Sequence, residues 1–208
     1  MTLTLSVIEQ WNQSAFLAVN AGAHAPALII SLAKVLASWS IYLAPALFVV
    51  AWVRRGRAIR FVLLDATLTA LIGLGLAQII AAIWYHPRPF ELGLGRQLID
   101  HAAEASFPSD HATLMFGLAI PLLLCTQTRR WGAVVLAVGF GVAWSRIYLG
   151  VHYPLDMIGA FGVAAAATLL VRMVGPFLQR SVFPKMISVY EVLLSRLALS
   201  RMVFPRNR

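Results

Sequence analysis

Residues 61–84 read FVLLDATLTALIGLGLAQIIAAIW, a stretch in which Asp65 is the single charged side chain. An α-helix of about 20 such residues is long enough to cross the hydrocarbon core of a bilayer. Four further predominantly apolar runs occupy residues 25–53, 108–126, 131–148 and 155–177. The sequence therefore predicts an all-α integral membrane protein, a helical bundle of five transmembrane helices.

Two amphipathic segments flank these runs. Residues 5–20 mix apolar side chains such as Trp11 and Phe16 with polar ones, which predicts a helix in the membrane interface, or a sixth span if it crosses. Residues 185–203 predict a basic helix on a membrane surface. No repeat or linker divides the chain, so we expect residues 1–208 to form one membrane-embedded domain, with residues 183–208 as a basic cytoplasmic tail.

The composition excludes several classes of protein. Hydrophobic residues make up 60% of the chain and charged residues 12%, which is more apolar surface than a soluble domain of this size can bury. The formal net charge of +9 comes from basic residues between the apolar runs and along the C-terminal tail. This distribution indicates membrane orientation and contact with membrane lipids, and it argues against a nucleic-acid partner. The single cysteine, Cys125, allows no intrachain disulfide.

The basic residues also predict the orientation of the bundle. With five spans, thirteen of them fall on one side: Arg54, Arg55, Arg57, Arg60, Arg129, Arg130 and the seven from Arg172 to Arg208. Three fall on the other side: Arg88, Arg96 and Arg146. Because the richer side of a membrane protein is usually cytoplasmic, we expect residues 85–107 and 146–154 to face outward. In a bacterium they would face the periplasm or the cell exterior from the inner (plasma) membrane.

Three polar clusters fall at these predicted outward ends: His86-Pro-Arg-Pro-Phe90, Pro108-Ser-Asp-His111 and the segment from Ser145 to Asp156. Arg88 and Arg146 carry planar guanidinium groups suited to phosphate oxygens. Ser109 begins a predicted helix, whose free backbone N–H groups and positive dipole end favour an anion. The clusters thus indicate a phosphate site, although interfacial arginines and an ordinary helix cap would explain each of them singly.

Two histidines add chemistry to this site. If a helix starts after Gly150, His152 and Asp156 share a face at the i, i+4 spacing, and the carboxylate can receive the imidazole N–H. That arrangement leaves the other ring nitrogen free to attack. A metal site is the rival explanation, but no HExxH motif, cysteine pair or dense carboxylate cluster supports it. A transporter that binds a phosphorylated lipid without cleaving it also remains an alternative.

These motifs resemble those of the type 2 phosphatidic acid phosphatase superfamily of lipid phosphatases and vanadium haloperoxidases. The matching motifs lie between residues 81 and 156: Arg88-Pro89, then Pro108-Ser109-x-His111, then Ser145-Arg146-x5-His152-x3-Asp156. Within that superfamily, His86-Pro-Arg-Pro-Phe90 and the aspartate at position 110 resemble the BcrC-type undecaprenyl pyrophosphate phosphatases, which are linked to bacitracin resistance.

The resemblance implies a role for each matching residue. His152 would be the nucleophile that forms a phosphohistidine, Asp156 its orienting partner and His111 the general acid. Arg88, Ser109 and Arg146 would hold the phosphoryl group, and neither a cofactor nor a metal is implied. The family's lysine, seven residues before the arginine, is replaced by Ala81. Lys34 is a candidate to supply that contact, although a lysine snorkelling to the interface explains it as well.

The expected activity is that of an undecaprenyl-diphosphate phosphatase. Such an enzyme converts a polyprenyl diphosphate lipid to the monophosphate and inorganic phosphate, and so recycles the carrier lipid of cell-wall peptidoglycan synthesis. A phosphatase or phosphotransferase acting on another phospholipid, such as phosphatidylglycerol phosphate or lipid A, is the alternative. No feature of the sequence indicates the number of subunits.

Overall fold

A computed structural model describes residues 2–196, with the side chains of residues 7–42 and 44–195. Seven α-helices make up most of this part of the chain: α1 (Thr2–Val19), α2 (Ala27–Arg54), α3 (Arg57–Ile83), α4 (Asp110–Leu124), α5 (Arg129–Tyr148), α6 (Pro154–Phe177) and α7 (Phe183–Arg196). A 3₁₀ turn, Pro89–Leu92, interrupts the long loop between α3 and α4. No β-strand occurs in residues 2–196, and the predicted all-α fold is confirmed.

Helices α2 to α6 coincide with the five predicted runs, but they differ in length. Within the described residues, α3, α5 and the continuous helix Pro154–Ser195 are long and apolar enough to cross a membrane. Helix α2 is a fourth span if its two parts, which meet at a 41° bend, are counted together. Pro45 accounts for the bend because it lacks the N–H of the helical ladder. Helix α4 has 15 residues, about 22 Å at 1.5 Å per residue, and is shorter than a full crossing.

Helix α4 lies at the centre of the bundle and packs against α3, α5 and α6. Small residues let the helix axes approach closely, as is usual between membrane helices. Gly117 of α4 faces Ala70 of α3, and a Cβ atom at Gly117 would lie 2.8 Å from the Cα atom of Ala70. On the other side, Gly139 of α5 packs against Phe116 of α4. The central helix is thus held by contacts that tolerate little added volume.

Helix α1 is attached to the end of the bundle where α5 ends and α6 begins. Phe16 is fully buried, and its ring meets the Tyr153 ring edge-on at a centroid distance of 5.5 Å. The side-chain oxygen of Asn12 accepts a hydrogen bond from the backbone N–H of Leu155 at 3.1 Å. Because α1 lacks the hydropathy of a span, the sixth-span alternative is not supported. Trp11, 74% exposed, keeps an apolar surface outward, as an interfacial helix does.

At the opposite end, α6 continues through a π-helical turn, Leu178–Val182, into α7. Phe183 and Ile187 are buried on the bundle side of α7. The Glu191 carboxylate accepts hydrogen bonds from Arg57 Nη2 at 2.7 Å and from Arg60 Nη1 at 3.2 Å. The predicted basic surface helix therefore starts as an extension of α6 that docks on the start of α3. Its last part, residues 197–203, lies outside the described residues.

Replacing Gly117 by Ala is expected to destabilise the bundle by about 1–3 kcal/mol, because the new methyl group would meet the α3 backbone rather than a movable side chain. Thermal unfolding of the purified protein in detergent measures this effect. Gly162→Ala in α6 is the matched control, since nothing lies within 4 Å of a Cβ atom there. Equal stability of the two variants would contradict the close α3–α4 packing.

Candidate active site

The three predicted polar clusters come together at the end of the bundle that carries α1. Arg88 precedes the 3₁₀ turn, Ser109 caps α4, and Arg146 lies in the last turn of α5. His152 lies in the turn before α6, and Asp156 lies in the first turn of α6. All five side chains are at most 5% exposed. Residues that are up to 68 positions apart in the chain therefore share one buried site.

The His152–Asp156 pair has the predicted geometry. His152 Nδ1 lies 3.1 Å from Asp156 Oδ2, so the ring can donate its Nδ1–H to the carboxylate. The turn before α6 is made by Gly150, whose φ of 84° favours glycine. A Cβ atom at this position would also overlap the Arg96 carbonyl oxygen. The two side chains meet because this tight turn allows α6 to begin directly after His152.

Arg88 is held against His152 by backbone carbonyl groups. Its Nε donates to the Glu104 carbonyl oxygen at 3.0 Å, and its Nη1 donates to the Val151 carbonyl oxygen at 2.9 Å. The same Nη1 lies 3.0 Å from His152 Nε2. The guanidinium thus covers the ring nitrogen that faces away from Asp156. A phosphate oxygen that entered here would compete for this donor.

Other donors in the site have no protein partner. Nε and Nη2 of Arg146 and Oγ of Ser109 are buried without a hydrogen-bond partner among the described residues. Leaving buried polar groups unpaired is costly. Ser109 also caps α4, so the positive end of that helix dipole points into the site. The arrangement suits a ligand with several acceptor oxygens and negative charge, such as a phosphate group.

The surroundings of His152 disfavour a charge on its ring. Burial lowers the pKa of its imidazole well below the ordinary value, and the nearby charges of Arg88 and Arg146 act in the same direction. The charges of His101 and His111 act in the same direction. His111 is the second residue of α4 and is partly buried. In a neutral imidazole whose Nδ1–H is directed to a carboxylate, Nε2 carries the lone pair that can attack, and here that lone pair faces Arg88 Nη1.

Two further residues contact this pair, and one of them, Ser106, was not predicted from the sequence. Ser106 is fully buried, and its hydroxyl donates to Asp156 Oδ2 while lying 3.4 Å from His152 Nδ1. Its place two residues before Pro108 in the second motif was the available signal. The His101 ring lies edge-on to the His152 ring at a centroid distance of 6.2 Å. The sequence assigns His101 to the long outer loop, where a role at the headgroup entrance and a solvated loop are both open.

Lys34 is the candidate to supply the contact of the family lysine. Lys34 is exposed on α2, and no hydrogen bond or ion pair joins it to a site residue within the part of the chain that the structure describes. Nor do the described residues contain a group of three or more His, Cys, Asp or Glu side chains arranged to hold a metal ion.

The amino-acid sequence is similar to those of known proteins along most of its length. The YbjG protein of Escherichia coli (strain K12) is 31% identical over 186 residues, which cover 89% of this chain and 93% of that protein. The undecaprenyl-diphosphatase BcrC of Bacillus subtilis (strain 168) is 28% identical over 186 residues, 89% of this chain and 95% of that protein.

The fold has a match among solved structures as well. The crystal structure of LpxE from Aquifex aeolicus superposes with a TM-score of 0.66 and 20% sequence identity, covering 77% of this chain and 93% of that one. Residues 62–180, which contain all six predicted site residues, match the model of the PAP2 superfamily. The resemblance inferred from the three motifs is thereby confirmed, and the chain is a multi-pass membrane protein that belongs to the PAP2 superfamily.

Proposed function

We propose that this protein is a lipid phosphatase that hydrolyses undecaprenyl diphosphate to undecaprenyl phosphate and inorganic phosphate. The observation that carries the proposal is the buried His152–Asp156 pair beside the unpaired donors of Arg146 and Ser109. The similarity to BcrC of Bacillus subtilis, an undecaprenyl-diphosphatase by name, supports the diphosphate substrate.

In the proposed first step, His152 Nε2 attacks the terminal phosphorus atom. A new N–P bond forms while the bond from that phosphorus to the bridging oxygen breaks. Arg88 shifts its Nη1 donor from His152 to a phosphoryl oxygen, and Arg146 and Ser109 donate to the others, which stabilises the charge that develops there. The Asp156 carboxylate accepts a hydrogen bond from the Nδ1–H and stabilises the positive charge that develops on the ring.

His111 supplies a proton to the leaving group in this mechanism. The leaving group is the polyprenyl monophosphate, whose bridging oxygen takes up the proton as the P–O bond breaks. The neutral His111 then removes a proton from water, which attacks the phosphohistidine and releases inorganic phosphate. His152 and His111 both return to their starting protonation states, so the cycle needs no cofactor.

The distribution of charge supports an outward-facing site. Helix ends that carry most of the arginines, such as Arg54 at the end of α2 and Arg129 at the start of α5, lie opposite the end that holds His152. The positive-inside rule then puts the site in the periplasm or at the cell exterior of a bacterial inner (plasma) membrane. There it would act on carrier lipid released by cell-wall synthesis, while the polyprenyl chain remains in the bilayer.

Three alternatives use the same site. A phosphotransferase would pass the phosphoryl group from His152 to another lipid instead of water, and a phosphatase for phosphatidylglycerol phosphate or lipid A would bind a different tail. A transporter would need the arginines but no oriented nucleophile. The hydrogen bonds that Ser106 and the Tyr153 backbone N–H donate to Asp156 Oδ2 fix a carboxylate whose use is to orient His152, which favours catalysis over transport.

Replacing His152 by Ala should reduce phosphate release from undecaprenyl diphosphate by about 10³-fold or more, because the covalent step is lost. The wild-type enzyme incubated with substrate labelled in the terminal phosphate should yield an acid-labile, alkali-stable phosphoprotein, and the variant should yield none. Phosphate release by the purified protein, with phosphatidylglycerol phosphate, phosphatidic acid and lipid A as parallel substrates, tests the reaction and its specificity together.

The matched control for this experiment is His24→Ala, which removes an exposed histidine that precedes α2 and should leave the rate unchanged. Retention of more than about a tenth of the activity by His152→Ala would exclude His152 as the nucleophile. Faster phosphate release from a monoester than from the diphosphate would show that the proposed substrate is wrong, while the proposed mechanism would still apply.

Activity is expected to survive excess EDTA, because arginines and a helix N-terminus carry the charge stabilisation in the proposed mechanism. The measurement is phosphate release before and after chelation, with added Mg²⁺ or Mn²⁺ in parallel. Loss of activity on chelation and its recovery with a divalent ion would require His111, His152 and Asp156 to be reinterpreted as metal ligands.

The orientation is tested by cysteine labelling in a Cys125→Ser background. Gln97 lies in the exposed loop above the site, and Gln127 lies in the exposed turn at the opposite end. A cysteine at position 97 should react in intact cells with a membrane-impermeant thiol reagent, and one at position 127 only after permeabilisation. The reverse pattern would put the site in the cytoplasm and exclude a recycling role at the outer leaflet.

A further inference from the structure

A second polar site lies at the opposite end of the bundle, between α3, α4 and α6. A cavity of about 390 Å³ is bounded there by Asp65 and Thr69 of α3, Pro121 of α4, and Arg172 and Pro176 of the long helix. Gln179, in the π-helical turn, completes the polar part of the wall. The site is separate from the catalytic centre, and none of these residues takes part in the proposed phosphatase reaction.

Two oxygen atoms that line this cavity lack a hydrogen-bond partner among the described residues. Asp65 and Thr69 are four residues apart on α3 and therefore present neighbouring side chains. Oδ1 of Asp65 and Oγ1 of the fully buried Thr69 have no hydrogen-bond partner among the residues that the structure describes. The other carboxylate oxygen, Oδ2, accepts from Gln179 Nε2 at 2.9 Å. One carboxylate oxygen and one hydroxyl group thus remain available to a ligand that donates hydrogen bonds.

The cavity also carries a positive charge. Arg172 lines it together with Asp65, yet no ion pair joins these two side chains in residues 7–195. The arginines of the α2–α3 turn do not pair with Asp65 either, since Arg57 and Arg60 both contact Glu191. Arg172 is exposed and Asp65 is partly buried. Because the two charges line one cavity without forming an ion pair, they match a ligand with a cationic and an anionic group.

We propose that this cavity binds a phospholipid whose headgroup joins a primary ammonium to a phosphate, as phosphatidylethanolamine does. The ammonium would donate to Asp65 Oδ1 and Thr69 Oγ1, and the phosphate would accept from Arg172. A quaternary ammonium has no N–H to donate, so the choline headgroup fits less well. A bare metal cation would leave Arg172 without an anion. The apolar part of the wall, which includes Val62, Leu124 and Val171, suits the glycerol and the start of the acyl chains.

The position of the cavity fits a headgroup from the adjacent leaflet. Asp65 lies eight residues into α3, about 12 Å from its start, and Gln179 lies two residues beyond the end of α6. This depth is near the boundary between the hydrocarbon core and the headgroups. The lipid would connect α3, α4 and α6 at the end of the bundle where the short helix α4 leaves space.

The test is lipid binding by the purified full-length protein in detergent, measured by native mass spectrometry and by thermal shift. The probes are short-chain phosphatidylethanolamine, phosphatidylcholine and phosphatidylglycerol. We expect phosphatidylethanolamine to bind at least about tenfold more tightly than the other two, and Asp65→Asn to remove that preference. Arg172→Gln should weaken the binding of all three lipids, because each of them carries the phosphate. Equal affinity of the wild-type protein for the three lipids, an unchanged preference in Asp65→Asn, or unchanged binding by Arg172→Gln would overturn the proposal.

Matched controls separate this site from general effects on the fold and from the catalytic centre. Thr69→Val should weaken phosphatidylethanolamine binding, whereas Thr67→Val, at an exposed position of the same helix, should not. His152→Ala should bind the lipid like the wild-type protein. If binding is lost in His152→Ala and kept in Asp65→Asn, the lipid occupies the catalytic centre and the proposal is wrong. Equal binding of soluble glycerophosphoethanolamine would exclude a site built for a lipid.

Discussion

A buried carboxylate is costly unless hydrogen-bond donors satisfy it, and the rest of this site depends on the donors that surround one carboxylate oxygen of Asp156. Its Oδ2 atom is within hydrogen-bond reach of the Ser106 hydroxyl, the Tyr153 backbone N–H and the His152 ring. The Asp156 backbone carbonyl accepts from the N–H of Ser109 at 3.3 Å. One residue thereby joins the start of α6 to the segment that leads into α4. The ring of His152 and the start of α4 are therefore both positioned by Asp156.

The N-terminal helix and the outer loops hold this arrangement from outside. Asn20 acts as a clamp, because its amide donates to the carbonyl oxygens of Arg96 and Tyr148 and accepts from the Arg96 N–H. Glu9 of α1 lies 3.3 Å from the His86 ring nitrogen, and the His86 carbonyl accepts from the Ser106 N–H at 2.7 Å. A chain of contacts thus runs from α1 to the residue that holds Asp156. Helix α1 is therefore connected to the site by hydrogen bonds, in addition to lying in the membrane interface.

The bundle beneath the site achieves its packing with small residues. Gly117 against Ala70, and Gly73 against Thr113 and Ala167, bring α3, α4 and α6 into close contact. Between membrane helices there is little hydrophobic driving force, so close van der Waals contact is what stabilises the association. The same central helix is short, and this leaves the polar cavity at its far end near Asp65. Tight packing at one end and a cavity at the other are both consequences of the position and length of α4.

The amino-acid sequence by itself determined the helices, their approximate ends, the charge asymmetry of the bundle and the three motifs of the site. These follow from local properties: apolar length, the i, i+4 spacing of His152 and Asp156, and the order of motifs along the chain. Only the tertiary structure decided that Arg88 rests on His152 and that Ser106 holds Asp156. These outcomes depend on how distant segments dock. Periodicity and composition report which face of a helix is apolar, but they do not specify which loop folds over its end.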